Sequence, residues 1–160
     1  MKSDLRVETY GTIDELNAVL GLVRLHAEGE LDAMLARIQN ELFDLGAELA
    51  TPETGEPLPY EPLKIVASQV DALEREIDAM NARLEPLKSF VLPAGSPAAT
   101  HLHHARTVAR RAERLMVALA KKDGETVADV ALRYVNRLSD HLFVAGCIAN
   151  DDGRADVLWV

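Results

Sequence analysis

The sequence has few of the residues that mark secreted or β-rich proteins. Its 160 residues include a single cysteine, Cys147, so no disulfide can form within the chain. One thiol fits a reducing compartment and argues against a secreted scaffold held by disulfides. Aromatic residues make up only 4% of the chain, whereas leucine and alanine are abundant, and this balance favours helices over a β-sandwich.

Long apolar runs are also missing. No stretch approaches the roughly 20 consecutive apolar residues of a membrane helix, and residues 1–11 lack the apolar centre of a secretory signal. We therefore expect a cytoplasmic protein with no membrane partner. The formal net charge of −9 argues against nucleic acid as a partner, so a binding site for an anion requires a local concentration of positive charge.

Apolar residues recur at helical spacing along nearly the whole chain, as the side chains of a buried helix face do. We predict a single all-α domain over residues 1–160, folded as an up-and-down five-helix bundle. Thr12 and Glu15 have the spacing of a capping box, which predicts that the first helix begins there and that Asp14 lies in its first turn. A leucine stripe over residues 31–49, with Phe43 close to it, predicts the second helix.

The remaining helices are predicted from breaks in the chain. Prolines between residues 51 and 62 separate the second helix from a third, over about residues 63–84. Ser96 and Pro97 are a good cap and first-turn pair for a fourth helix that runs to about Lys121. Thr126 is predicted to open a fifth helix that reaches Asn150, and residues 156–160 are predicted to be a short extended segment.

The fourth helix carries the most informative cluster. Arg106, Arg110 and Arg114 recur every four residues, so their guanidinium groups project from nearly one face, and Arg111 adds a fourth charge. Arginine matches phosphate oxygens with two parallel hydrogen bonds, so a polyphosphate is a natural counter-ion. Glu113 is placed to orient Arg110. A solvated face held by salt bridges is the alternative that this stretch alone leaves open.

The fifth helix carries a second polar set. Asn136 and Asp140 share a face, and Arg133 and Arg137 lie beside them. An amide and a carboxylate in this arrangement are able to bind a ribose or a base, or to hold the arginines of the facing helix. A polar network between helices without a ligand explains the same residues equally well.

Histidine and cysteine give weaker signals. His101 and His104 are three residues apart, but no acidic or cysteine residue has a matching spacing, so we expect no protein-bound metal site. Cys147 lies in an apolar stretch and is predicted to be a core residue.

Five segments together resemble the ATP:cob(I)alamin adenosyltransferases of the propanediol-utilisation type. They occur in the same order as in that family and span nearly the whole chain. The pairing of R-x-x-x-R-R-A-E-R with N-R-L-S-D is the most specific part of the resemblance. The segments are residues 10–17 (YGTIDELN), 40–52 (NELFDLGAELATP), 90–93 (FVLP), 102–114 (LHHARTVARRAER) and 136–140 (NRLSD).

The resemblance implies a five-helix bundle that assembles as a homotrimer, with ATP and the corrinoid between neighbouring subunits. The implied reaction transfers the 5′-deoxyadenosyl group of ATP, with magnesium, to cob(I)alamin, the second substrate. Arg110, Arg111 and Arg114 would contact the phosphates, while Glu113 and Asn136 would complete the nucleotide site.

The resemblance also implies three further roles. Arg106 would pair with Asp14 of the adjacent subunit near the reacting groups. Phe90 would lie under the corrin ring, and Lys2 would lie near the phosphates. The family carries a Thr-Gly-Asp-x-Gly-Thr segment that wraps the triphosphate, and we expect this domain to lack that loop. A non-catalytic trimer that binds ATP or a corrinoid is therefore the alternative function, and a purely structural bundle is a third.

Overall fold

The computed structural model describes residues 4–52 and 55–160, which form an all-α bundle as predicted. In chain order the helices are α1 (Leu5–Arg24), α2 (Gly29–Ala50), α3 (Ala67–Asn81), α4 (Pro97–Lys121) and α5 (Asp129–Ala149). Helix α1 packs on α2 and α4, and α5 packs on α4 and α3. No helix in the described part of the chain is long and apolar enough to cross a membrane.

The first helix begins earlier than predicted. Asp4 caps it, because its carboxylate accepts a hydrogen bond of 2.9 Å from the Arg6 backbone nitrogen. Thr12 is buried in the middle of α1, where its hydroxyl donates to the Glu8 carbonyl oxygen at 2.8 Å. The capping box predicted at Thr12 is therefore wrong, and Asp14 lies mid-helix rather than in the first turn. The helix starts upstream since Asp4 supplies the cap there.

Two other predicted starts also differ from the structure. Helix α3 is shorter than the predicted 63–84, because Ile65 leaves the helix to pack in the core and its backbone nitrogen donates to Glu48 Oε1 at 2.7 Å. Helix α5 begins at Asp129 rather than at Thr126. The carbonyl oxygen of Thr126 instead accepts a hydrogen bond of 3.0 Å from the buried Arg6, which ties the loop before α5 to α1.

Helix α4 begins where the sequence predicted. Ser96 caps it by accepting a hydrogen bond of 3.1 Å from the Ala99 backbone nitrogen, and Pro97 occupies the first turn. The buried Asn150 holds this start, since its side chain accepts from the Ser96 nitrogen at 2.8 Å and donates to the Ala94 oxygen at 3.1 Å. The end of α5 therefore fixes where α4 begins.

All five helices contribute to the core, in which leucine is the commonest residue, as the apolar stripes predicted. Phe43 is an exception, because its side chain is 68% exposed on the surface of α2. The prediction that it lies near the buried stripe is wrong: position 43 follows the buried Leu42 and turns past the core face.

A network of charged and polar side chains joins α2, α3 and α5. Arg37 donates two hydrogen bonds to Glu76, at 2.6 and 2.7 Å, and the buried His141 lies 3.1 Å from the same carboxylate. The Tyr134 hydroxyl donates to the buried Glu41 at 2.8 Å. Hydrogen bonds from Arg37 and His141 outweigh burial and hold the pKa of Glu76 at about 2.

Candidate functional site

The arginines of α4 have three different environments. Arg110 and Arg114 are exposed, and neither has a hydrogen bond or ion pair to another residue in 4–52 or 55–160. Arg111 is also exposed and forms an ion pair with Glu15 of α1. Arg106 is half-buried. The predicted common face is therefore confirmed as a surface for Arg110 and Arg114, while Arg106 faces a different environment.

Arg106 carries a positive charge in partly apolar surroundings. Its guanidinium carbon lies 5.9 Å from the centre of the Phe143 ring on α5, a cation–π distance. Its buried Nε has no hydrogen-bond partner in the described residues. Burial, and then the charge of Arg110, lower the pKa of Arg106. Within one chain, the described structure gives this charge no carboxylate partner.

Asp14 does not meet Arg106 within the chain. It is exposed on α1 and lines a shallow depression together with Asn17 and the exposed Phe43. No hydrogen bond or ion pair to Asp14 exists in the part of the chain that the structure describes. A charged group and a large aromatic ring are thus presented together on this surface.

Glu113 and Asn136 join α4 to α5. The Asn136 amide donates to Glu113 Oε2 at 2.8 Å, and its oxygen accepts two hydrogen bonds from Arg137, the shorter at 2.9 Å. Arg137 also pairs with Asp140. The prediction that Glu113 orients Arg110 is wrong, because its carboxylate binds the amide of the facing helix, which is close enough to reach it.

Positive charge therefore dominates this part of the surface. The carboxylates near the arginines are already used by Arg111 and Asn136, so Arg110 and Arg114 remain uncompensated in a chain of net charge −9. Two exposed guanidinium groups one helical turn apart suit a ligand with several phosphate groups, since each fork binds two oxygens.

Phe90 lies in the connection between α3 and α4, and its side chain is 80% exposed. Its carbonyl oxygen accepts a hydrogen bond of 2.8 Å from the backbone nitrogen of Trp159, so the C-terminal segment runs alongside it. This confirms the extended tail predicted for residues 156–160.

A cavity of about 610 Å³ lies between α5, the α3–α4 connection and the C-terminal segment. Its lining includes Leu84, Phe143, Leu158 and Cys147. Burial raises the pKa of the Cys147 thiol to about 12, so this residue is an unreactive part of the core, as predicted.

The three histidines near the start of α4 are dispersed. His101 stacks on His26 in the turn between α1 and α2, His104 is exposed, and His103 is only 1% exposed beside Phe143. Burial and the charge of Arg106 lower the pKa of His103, which keeps the ring neutral. Within residues 4–52 and 55–160, no three His, Cys, Asp or Glu side chains are grouped to hold a metal ion.

Comparison with known proteins identifies the family to which this fold belongs. A family model described as cobalamin adenosyltransferase matches residues 1–149. The chain belongs to the cobalamin adenosyltransferase family. A corrinoid adenosyltransferase of Mycobacterium tuberculosis is 48% identical over 160 residues, covering 99% of this chain and 81% of the relative. One of Bacillus subtilis is 47% identical over 154 residues, covering 93% and 76%.

Solved structures of adenosyltransferases share the fold. A PduO-type ATP:corrinoid adenosyltransferase from Lactobacillus reuteri, a phenylalanine-to-alanine variant complexed with cobalamin and ATP, superimposes with a TM-score of 0.89. It is 36% identical, and the match covers 99% of this chain and 88% of that one. An ATP complex of an arginine-to-lysine variant gives a TM-score of 0.88 at 35% identity, covering 100% and 90%.

Sequence reasoning missed two residues that contact the predicted ones. Phe143 contacts Arg106 and lines the cavity, and it lies one turn after Asp140 on the predicted fifth helix. That spacing was a usable signal. Trp159 had no such signal, because its pairing with Phe90 spans the length of the two intervening helices. Lys2, predicted near the phosphates, lies outside the described residues.

Proposed function

We propose that this chain transfers the 5′-deoxyadenosyl group of ATP to cob(I)alamin, forming adenosylcobalamin and releasing triphosphate. The observation that carries the proposal is the pair of uncompensated arginines, Arg110 and Arg114, on α4 of an acidic chain. Relatives of the same fold were solved with cobalamin and ATP bound, which supports the same pair of substrates here.

The cobalt itself is the nucleophile in this reaction, so the protein does not need to supply one. The electron pair of cobalt(I) forms a bond to the 5′ carbon of ATP, the carbon–oxygen bond breaks, and its electron pair leaves with the triphosphate. The chain must therefore orient the 5′ carbon towards the cobalt and stabilise the negative charge that develops on the leaving group.

The arginines are suited to stabilise the negative charge on the triphosphate leaving group. Arg110 and Arg114 contact the phosphates directly, while Arg111 divides its charge between the phosphates and Glu15. Asn136 and Glu113 complete the nucleotide site as a linked pair, since the 2.8 Å hydrogen bond between them fixes both side chains before ATP arrives.

The resemblance to the family also assigns Lys2, which lies outside the described residues, a role near the phosphates. Magnesium would neutralise part of the charge on ATP, and the phosphates would supply its ligands, because guanidinium groups have no acceptor oxygens. We place the reaction in the cytoplasm because it uses ATP. The single thiol of the chain agrees with a reducing compartment.

The chain acts as a homotrimer, with each site shared between two subunits. Arg106 has no carboxylate partner in its own described chain, and Asp14 is exposed and unpaired beside Phe43. A salt bridge between Arg106 and Asp14 of the adjacent subunit would satisfy both charges and cover the exposed ring. Phe90 then lies under the corrin ring and helps to exclude its lower axial ligand.

The direct test is product formation. Purified chain is mixed with ATP, magnesium and chemically reduced cobalamin without oxygen, and adenosylcobalamin is measured by its absorption spectrum and by chromatography. We expect product and triphosphate in equal amounts. ATP binding in a calorimeter without any product would instead favour the non-catalytic binding protein.

The shared site has its own test. Asp14→Ala and Arg110→Ala chains, each of which we expect to be inactive alone, are co-expressed with different tags and the mixed assemblies are isolated. If Asp14 acts across the interface, mixed trimers contain some sites with both native residues and regain part of the activity. Mixed assemblies that stay inactive, or a monomeric mass in light scattering, would contradict the shared site.

A further inference from the structure

The segment before α4 and the C-terminal segment form a short antiparallel ladder. Val91 pairs with Leu158 at its centre. The Trp159 backbone nitrogen donates to the Phe90 oxygen at 2.8 Å, and the Ser89 hydroxyl donates to the Trp159 oxygen at 2.9 Å. These bonds place Trp159 directly opposite Phe90.

This register decides which side chains lie together. Directly opposed residues in an antiparallel pair point to the same side, and successive residues alternate. One side of the ladder is therefore entirely apolar, and it is exposed: the Phe90 side chain is 80% exposed and that of Trp159 is 62% exposed. This apolar face consists of Phe90, Leu92, Val157 and Trp159.

The other side of the ladder carries Val91 and Leu158. Leu158 lines the cavity against α5 and is 37% exposed, less than Phe90 and Trp159. The Trp159 backbone nitrogen donates to the Phe90 oxygen, and the Trp159 oxygen accepts from the Ser89 hydroxyl. The apolar face thus offers two aromatic rings from opposed positions. Such a surface suits a flat, apolar ring system, which stacks on aromatic rings.

We propose that Trp159 is a corrin-positioning residue, which forms with Phe90 the aromatic surface that one side of the corrin ring covers. This inference rests on the proposed function, which assigns the corrin to Phe90. The occupant is the macrocycle rather than a second copy of the chain, because Phe90, to which the proposed function assigns the corrin, lies directly opposite Trp159 in the ladder.

The first experiment uses the natural fluorescence of the chain. Trp159 is the single tryptophan, so all tryptophan emission reports on this position. The rate constant for quenching by acrylamide is taken from fluorescence lifetimes, which separates shielding from energy transfer to the corrin. We expect saturating cob(II)alamin to lower this constant several-fold and ATP alone to leave it unchanged. An unchanged constant with corrinoid bound would overturn the proposal.

The second experiment compares variants. Trp159→Ala should raise the KM for the corrinoid about tenfold or more, since a large apolar contact is lost. The KM for ATP should stay within about twofold, and Trp159→Phe should restore most of the corrinoid affinity because it keeps an aromatic ring. Tyr60→Ala, which removes an exposed aromatic ring from the loop before α3, is the matched control.

The outcomes separate the two proposals. An unchanged corrinoid KM in an active Trp159→Ala chain would overturn the role of Trp159 alone. A change in the assembly mass of Trp159→Ala, measured by light scattering, would show that this face contacts another subunit and would also overturn it. A wild-type chain that shields Trp159 with corrinoid but makes no product would contradict the proposed function and still support the contact.

Discussion

Replacement of Glu76 by glutamine should remove an acid-sensitive part of the stability of this bundle. Glu76 on α3 accepts two hydrogen bonds from Arg37 on α2 and lies 3.1 Å from the buried His141 on α5. The charged carboxylate is therefore the point at which three helices are joined. Glutamine keeps the size of the side chain but removes the charge and one of its two acceptor oxygens.

The pKa gives the size of the effect. Its fall from an ordinary value of 4.5 to about 2 corresponds to about 3 kcal/mol of folding free energy, at about 1.4 kcal/mol per pH unit. The Arg37 side chain is 36% exposed, so solvent screening reduces this, and we expect about 1.5 kcal/mol. Because the pKa is lower in the folded chain, the contribution is complete above pH 4.5 and is lost as the pH falls towards 2.

The assay is urea unfolding followed by circular dichroism, at several pH values and one protein concentration. Glu76→Gln should be less stable than wild type near pH 7, and the difference should shrink steadily below pH 4.5. Glu74→Gln is the matched control, because Glu74 is exposed on the same helix. A Glu76→Gln chain that loses stability with acid as steeply as wild type would refute this reasoning.

Three further predictions concern the site and its support. Arg110→Ala should abolish adenosyl transfer yet shift the melting temperature little, because an exposed arginine contributes little stability; near-normal turnover would rule out its phosphate role. Asn136→Ala should raise the KM for ATP more than it lowers kcat, which steady-state kinetics would show, and an unchanged KM would exclude it from the nucleotide site. Gly95→Ala should lower the free energy of unfolding by about 2 kcal/mol or more, because φ is +117° and the added Cβ would lie 2.2 Å from Asn150 Oδ1. In the control Gly11→Ala the new Cβ meets nothing within 4 Å, and equal losses in the two chains would contradict the steric explanation.

The sequence was sufficient to predict the existence of the helices and most of the arginine surface, because both depend on short-range periodicity. A residue four positions along a helix lies one turn away, so Arg110 and Arg114 fall on a common surface whatever packs behind them. The start of α4 was equally predictable, since Ser96 and Pro97 act on the turn that immediately follows them.

Helix starts that depend on distant partners were not predictable. Thr12 and Glu15 have the local spacing of a cap, but the helix continues through them because Asp4 caps it upstream and the Thr12 hydroxyl binds within the helix. Thr126 is kept out of α5 by Arg6, which is far away in sequence. In each case a competing hydrogen bond outside the local pattern decides the outcome.

The same distinction separates the two halves of the proposed site. The phosphate half lies on one face of α4, and a single guanidinium spacing describes it. The corrin half is assembled from segments that meet only after folding. Trp159 reaches Phe90 through a backbone hydrogen bond that no local pattern encodes, and Arg106 on α4 contacts Phe143 on the neighbouring α5. Arg106 belongs to the arginine helix by sequence but to the apolar half by its surroundings. A charge held there without a partner in its own chain is the feature that most strongly calls for the carboxylate of a neighbouring subunit.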